Sequence, residues 1–186
     1  MHSKLTNALA ASVAWVLLAG SAGAQDMDSQ GAMQSEMNDL EIAHSAYSAG
    51  SIDIRYAHLA LGISDDPAVR DFAELMIRDH AAVNEAAGAL VEKLQVTPQD
   101  NQLSRQLNDG AADKRRELAG LTGVAFDCGY AQNELHYHQL VNATVEERFI
   151  PSVTVPELKA LLSQALATFI AHEQHADRMV AEFDCG

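Results

Sequence analysis

The chain has 186 residues, with 26 acidic against 12 basic side chains and a formal charge of −14. That excess repels phosphodiester backbones and anionic lipid, which argues against nucleic-acid binding and membrane-surface binding. The length suits one domain with its own core, needing neither a structural metal nor many disulfides to fold.

The first residues read as a secretory signal. His2 and Lys4 give a weakly basic start, and Leu9 through Gly20 is nearly all apolar. This run is too short for a membrane span, which needs about 20 residues. Ala22-Gly23-Ala24 then offers a small-x-small cleavage site, so residues 1–24 are expected to be removed. Release into the periplasm or outside the cell follows, with an uncleaved anchor as the alternative. Residues 25–37 read as a flexible polar leader. Its Met27, Met33 and Met37 are soft thioethers, but irregularly spaced.

From Asn38 the pattern turns helical. Leu40, Ala43, Tyr47, Gly50, Ile54, Ala57 and Leu61 step by three and four, and Asn38 with Glu41 makes a capping start. Gly62 through Asp66 breaks the pattern. Asp66 caps a second helix with Pro67 at its first position, where a missing N–H costs nothing. The second seam is Val69, Ala73, Met76, His80, Val83, Ala87, Leu90 and Leu94, ending before Pro98. A connection this short predicts antiparallel neighbours. Residues 97–121 are polar and too long for a turn, with a short helix expected from about Ala111 to Leu121. A third helix is expected over roughly Phe126 to Phe149. Pro151 and Pro156 bracket the next turn, and Thr154 with Glu157 has capping-box spacing. The fourth helix then runs to about Phe183 on the seam Leu158, Leu162, Ala165, Phe169, His172, Ala176, Met179 and Phe183. The reading is all-α: residues 38–186 form a four-helix bundle of ferritin-like connectivity, with a long crossover between the second and third helices.

Cys128 and Cys185 are the only cysteines. In an oxidising compartment such a pair reads as a disulfide, and no CxxC spacing suggests a metal role. If the third and fourth helices are antiparallel, both cysteines fall at one end of the bundle.

His80 and His172 stand where their seams call for aliphatic residues. In the third helix Glu134 and His138 share a face with Ala131, Val141 and Val145. Asp53 on the first helix lies at about the same distance from the turn as His80, within ~5 Å at 1.5 Å per residue. Imidazoles bind zinc, copper, iron or nickel, and a carboxylate completes or orients such a shell. The candidate metal ligands are therefore His80, His138, His172, Asp53 and Glu134. The bland alternative is a hydrogen-bonded network, with Asp53 and Glu134 accepting from ring N–H groups and Tyr47, Tyr130 or Tyr137 assisting. His136 points to another face, His175, one turn from His172, reads as a ligand or a boundary residue, and His44 and His58 read as solvated. Asp79 reads as facing solvent or pairing with Arg78 or a neighbouring helix.

Several segments resemble an exported bacterial family known as domain of unknown function 4142. They are Ala49-Gly50-Ser51-Ile52-Asp53-Ile54, Val69-Arg70-Asp71-Phe72-Ala73, Met76-Ile77-Arg78-Asp79-His80, Gly123-Val124-Ala125-Phe126-Asp127 with Tyr130, then His138, and His172 with Ala176. The resemblance covers about residues 38–180. It implies a ferritin-like helical bundle in which Asp53, His80, His138 and His172 occupy the characteristic polar positions. Two departures stand out. The family usually has glutamate where this chain has Asp53, and Cys128 and Cys185 look peculiar to this protein or a subgroup.

Ferritin-like oxidases take a Glu-x-x-His pair from each of two helices. Here Ile77 and Phe169 stand three residues before His80 and His172, so a standard di-iron oxidase is not expected. The leading reading is a periplasmic protein binding a divalent transition metal such as zinc, copper or iron, for sequestration, sensing or stress protection. The alternative is a non-catalytic structural or envelope-stress protein. A small metalloenzyme with an open coordination position is the third reading. No nucleophile motif, phosphate loop or dinucleotide fingerprint is present, so no turnover is assigned.

Overall fold

The computed structural model describes residues 37–185. The signal expected over 1–24, and the leader over 25–37 apart from Met37, lie outside the described residues. Among the described residues there is no strand, and no helix is long and apolar enough to cross a membrane.

Helix α1 spans Asp39–Ile63. Asn38 Oδ1 accepts from the amides of Leu40 and Glu41, and the Glu41 carboxylate accepts from Asn38 N–H at 3.0 Å. The capping box read from the sequence is formed. The buried face, however, is rotated from the expected seam. It runs through Ile42, Ser45, Ala49, Ile52, Asp53, Tyr56 and Ala60, while Tyr47 is 48 % exposed. Alanine and glycine occur all round this helix, so spacing sets its period but hardly its direction.

Helix α2, Pro67–Leu94, begins as expected, with Asp66 accepting from Ala68 and Val69 amides. Its buried residues are Val69, Phe72, Ala73, Met76 and His80, and none lies beyond His80. Helix α3, Gln102–Leu118, starts nine residues before the expected Ala111. Asn101 caps it, donates from Nδ2 to the Glu41 carbonyl and accepts from Ser45 Oγ. The crossover is thereby pinned on α1.

Helix α4, Gly123–Thr144, continues into a π-helical turn, Val145–Phe149, and a short helical turn α5, Ile150–Ser152. Nothing in the spacing announces the π turn. Helix α6 is Pro156–Glu182. The capping box expected of Thr154 and Glu157 is absent: no side chain caps α6. Thr154 instead donates from N and Oγ1 to the Asp39 carboxylate, which also accepts from Val155 N. That carboxylate fastens the turn before α6 to the start of α1.

Paired residues give the helix directions. Along α1 and α2, Asp53 faces His80 and Ser51 faces Asn84. Along α2 and α6, Asp79 meets His172 and Lys93 meets Glu157. Along α4 and α6, Cys128 joins Cys185 in a disulfide and Asn142 meets Glu173. Along α1 and α4, Ser64 meets Asp127 and Tyr137 meets Ala49. In each pair one number rises as the other falls, so neighbours are antiparallel around the bundle. It follows that α2 and α4 run the same way, and α3 carries the chain back between them.

The core has two parts. At the disulfide end Ile52, Tyr56, Phe72, Met76, Phe126, Tyr130 and Met179 pack together. At the other end Ile42, Val145, Phe149, Leu158, Leu162 and Leu166 do so. Each such side chain contributes about 1.5–3 kcal/mol on burial. Between the two parts the interior turns polar.

Candidate metal centre

That polar layer is built one helix at a time. Asp53 comes from α1, His80 from α2, Glu134 and His138 from α4, and His172 from α6. All five are interior: Asp53 and Glu134 are 0 % exposed, His138 and His172 2 %, and His80 3 %. The three ring centroids form a nearly equilateral triangle, with sides of 5.5, 5.5 and 5.7 Å. Ligand atoms of His80, His138 and His172 all lie within 4.8 Å of one another, as do those of Asp53, Glu134 and His138. The five residues singled out in the sequence thus meet in one place.

Each ring is held in a particular way. His138 Nδ1 lies 2.9 Å from the carbonyl of Glu134, one turn earlier, so Nδ1–H donates and Nε2 keeps its lone pair. His172 Nε2–H donates to Asp79 Oδ2 at 3.0 Å, which leaves its Nδ1 lone pair facing inward. Asp79 also accepts from Arg78 Nε at 2.8 Å. His80 is fixed by stacking on Phe169, with centroids 4.3 Å apart and planes at 15°.

Burial is the chief electrostatic fact. It holds the imidazoles of His80, His138 and His172 below their ordinary range, so they are neutral and carry lone pairs at pH 7. It pushes Asp53 up to about 6, against the opposing pull of His138. Glu134 is pushed well up by burial and then by the charge of Asp53.

Nine buried polar atoms here have no hydrogen-bond partner: both oxygens of Asp53 and of Glu134, both nitrogens of His80, His138 Nε2, His172 Nδ1 and Tyr130 Oη. Each such group costs about 1–3 kcal/mol when left unmade. Asp53 Oδ2 stands 3.5 Å from His80 Nε2 and 3.6 Å from His138 Nε2. These separations are long for hydrogen bonds. Ligands about 2.0–2.2 Å from a shared tetrahedral ion are roughly 3.4 Å apart, so the donor set fits a cation.

The tyrosines play smaller parts than expected. Tyr137 Oη donates to the Ala49 carbonyl at 3.0 Å and is thereby withdrawn from the cluster, and Tyr47 lies outside the core. Tyr130 Oη is buried without a partner, and burial pushes its hydroxyl well up, with Glu134 and Asp53 adding to the shift. His58 and His136 are exposed. His175 packs edge-on against Phe72, and His44 lies 4.0 Å from Asp100. Asp79 pairs with both Arg78 and a neighbouring helix, as the sequence reading allowed, but that this helix is α6 is invisible locally. Its adjacency to His80 was the available signal. Replacing Asp79 with asparagine is expected to weaken zinc binding about 10–100-fold, as losing a ligand's orienting carboxylate does, with little change in helicity. Competition with a chromophoric chelator measures it, and an unchanged affinity would remove Asp79 from the centre.

Fold and site together define an all-helical bundle with one interior layer of imidazole and carboxylate donors drawn from four helices. The chain belongs to the family described as Domain of unknown function (DUF4142), which it matches over residues 23–179. No curated protein and no solved structure matches it.

Proposed function

We propose that the protein is an exported, ferritin-like four-helix bundle that holds one divalent transition-metal ion without turning over a substrate. The observation that carries this reading is the convergence of unpartnered buried donors at ligand-to-ligand separations. His80, His138, His172 and Asp53 would be the ligands. Glu134, beside Asp53, would orient the shell. Mixed nitrogen and oxygen donors suit zinc, copper or iron. The missing Glu-x-x-His pairs speak for one ion rather than a bridged pair. The directions of α1, α2, α4 and α6 and the returning α3 support ferritin-like connectivity. The disulfide supports an oxidising compartment, hence the periplasm after removal of residues 1–24. Sequestration, sensing and stress protection all fit such a role.

The structural reading, a buried hydrogen-bond network, has the Arg78–Asp79–His172 chain in its favour. Against it, neither the Asp53 nor the Glu134 carboxylate accepts from any of the three rings. Elemental analysis of untagged protein from the periplasm separates the two. Stoichiometric metal is expected in the wild type and none after combined His80→Ala and His172→Ala replacement. Metal-free wild type whose thermal midpoint is indifferent to chelator would instead favour the network.

A further inference from the structure

The bundle is hollow at the end away from the disulfide. A cavity of about 500 Å³ lies between α1, α2, α4, the π-helical turn and α6. This is within the ~300–1,000 Å³ range of small-molecule sites. Its walls are apolar, with Leu40, Ala87, Leu90, Val141, Leu158 and Leu162 among them. The inner end is closed by Phe169, His80, His138 and Asp53, and the outer rim carries Leu94, Val96 and Arg148. Packed interiors rarely keep voids much larger than a water molecule, and apolar walls do not hold water in place.

Several features point to an elongated apolar guest. From His80 to Leu94 the wall formed by α2 is about 21 Å long at 1.5 Å per residue. This is also where α2 buries none of its own residues, leaving Val83, Ala87, Leu90 and Val91 to line the space. The π turn borders it too, and π turns are frequent at functional sites. Arg148, on that turn, is exposed and is the single lysine or arginine among the lining residues. Among the described residues it pairs with no carboxylate.

We propose that this cavity binds one unbranched, medium-to-long acyl chain, matched to the length of the α2 wall, with its carboxylate on Arg148 and its methyl end toward Phe169. Asp53 at the inner end disfavours the opposite orientation, because an anionic head there would meet a second carboxyl group. The inference stands apart from the metal reading, since the chain's contacts are with the apolar walls and the rim.

Calorimetric titration of the full chain, chelator-treated and zinc-loaded, tests it with dodecanoate, dodecanol and butyrate. Dodecanoate is expected to bind roughly 100-fold or more tighter than butyrate, reflecting its extra methylenes, and equally with or without zinc. Filling the cavity by Ala87→Trp, or by Val83→Phe if that variant folds poorly, should weaken dodecanoate roughly tenfold while metal content stays unchanged. Arg148→Gln should weaken dodecanoate about fivefold, the worth of an exposed ion pair, and leave dodecanol unaffected. Dodecanoate binding no better than butyrate would overturn the proposal. So would binding unchanged by the filling variants, which marks surface adsorption, or binding that needs zinc, which places the carboxylate inside.

Discussion

Asp53→Asn is expected to stabilise the metal-free protein at pH 8 while abolishing high-affinity metal binding. The sign follows from its raised folded pKa of about 6, against 3.8 for the unexposed-to-fold reference side chain. A group raised on folding contributes stability that is complete below pH 4 and is lost as pH climbs through 6. The loss amounts to about 3 kcal/mol, at 1.36 kcal/mol per pH unit. The three imidazoles act in the opposite sense. Held below 6.5 in the folded state, they contribute stability that is complete above pH 6.5 and is lost as pH falls. Asparagine removes only the alkaline loss and also relieves Glu134 of a neighbouring charge. In chelator, urea denaturation should therefore show a variant-minus-wild-type difference that grows from near zero at pH 4 to about 3 kcal/mol at pH 8. With zinc the order should reverse, because an ion at 1,000 times its dissociation constant adds about 4 kcal/mol to the wild type alone. A wild type more stable than the variant at pH 8 in chelator would show that Asp53 is not a desolvated carboxylate awaiting a cation.

Reducing the Cys128–Cys185 bond should cost about 4 kcal/mol by the chain-entropy relation for a separation of 57 residues. The bond ties the first turns of α4 to the residue chain just past α6, and these helices carry His138 and His172. Guanidinium denaturation with and without reductant, or of a Cys128→Ser, Cys185→Ser double variant, measures the effect. A loss under about 1 kcal/mol would mean that native strain offsets the loop term. The centre lies several turns from the bond, so metal content of the folded reduced protein should be retained.

How much of this was legible beforehand differs by feature, and for physical reasons. Helix starts were readable at Asn38 and Asp66 because capping is a local transaction between a side chain and amides two or three residues on. At Thr154 the same spacing misled, since Asp39, 115 residues away in sequence, captured its amide and hydroxyl first. Imidazoles at His80, His138 and His172 stood out because each interrupts an aliphatic stripe. The face of α1 did not, because Ser45 and Asp53 are buried for their partners and their role, whereas Tyr47 is left outside. Helix α3 was half hidden. Its buried side chains are only Ser104, Ala111 and Leu118, too small and too sparse for a seam.

The ring of antiparallel neighbours has one more effect. Peptide dipoles in α1, α3 and α6 point one way and those in α2 and α4 the other, so much of the field along the bundle axis cancels. Asp53, His80, His138 and His172 sit near the middle of their helices, beyond reach of the partial charges at helix ends. Whatever preference the interior has for one cation over another is thus set by side chains of a single cross-section, and altering caps or termini leaves it untouched.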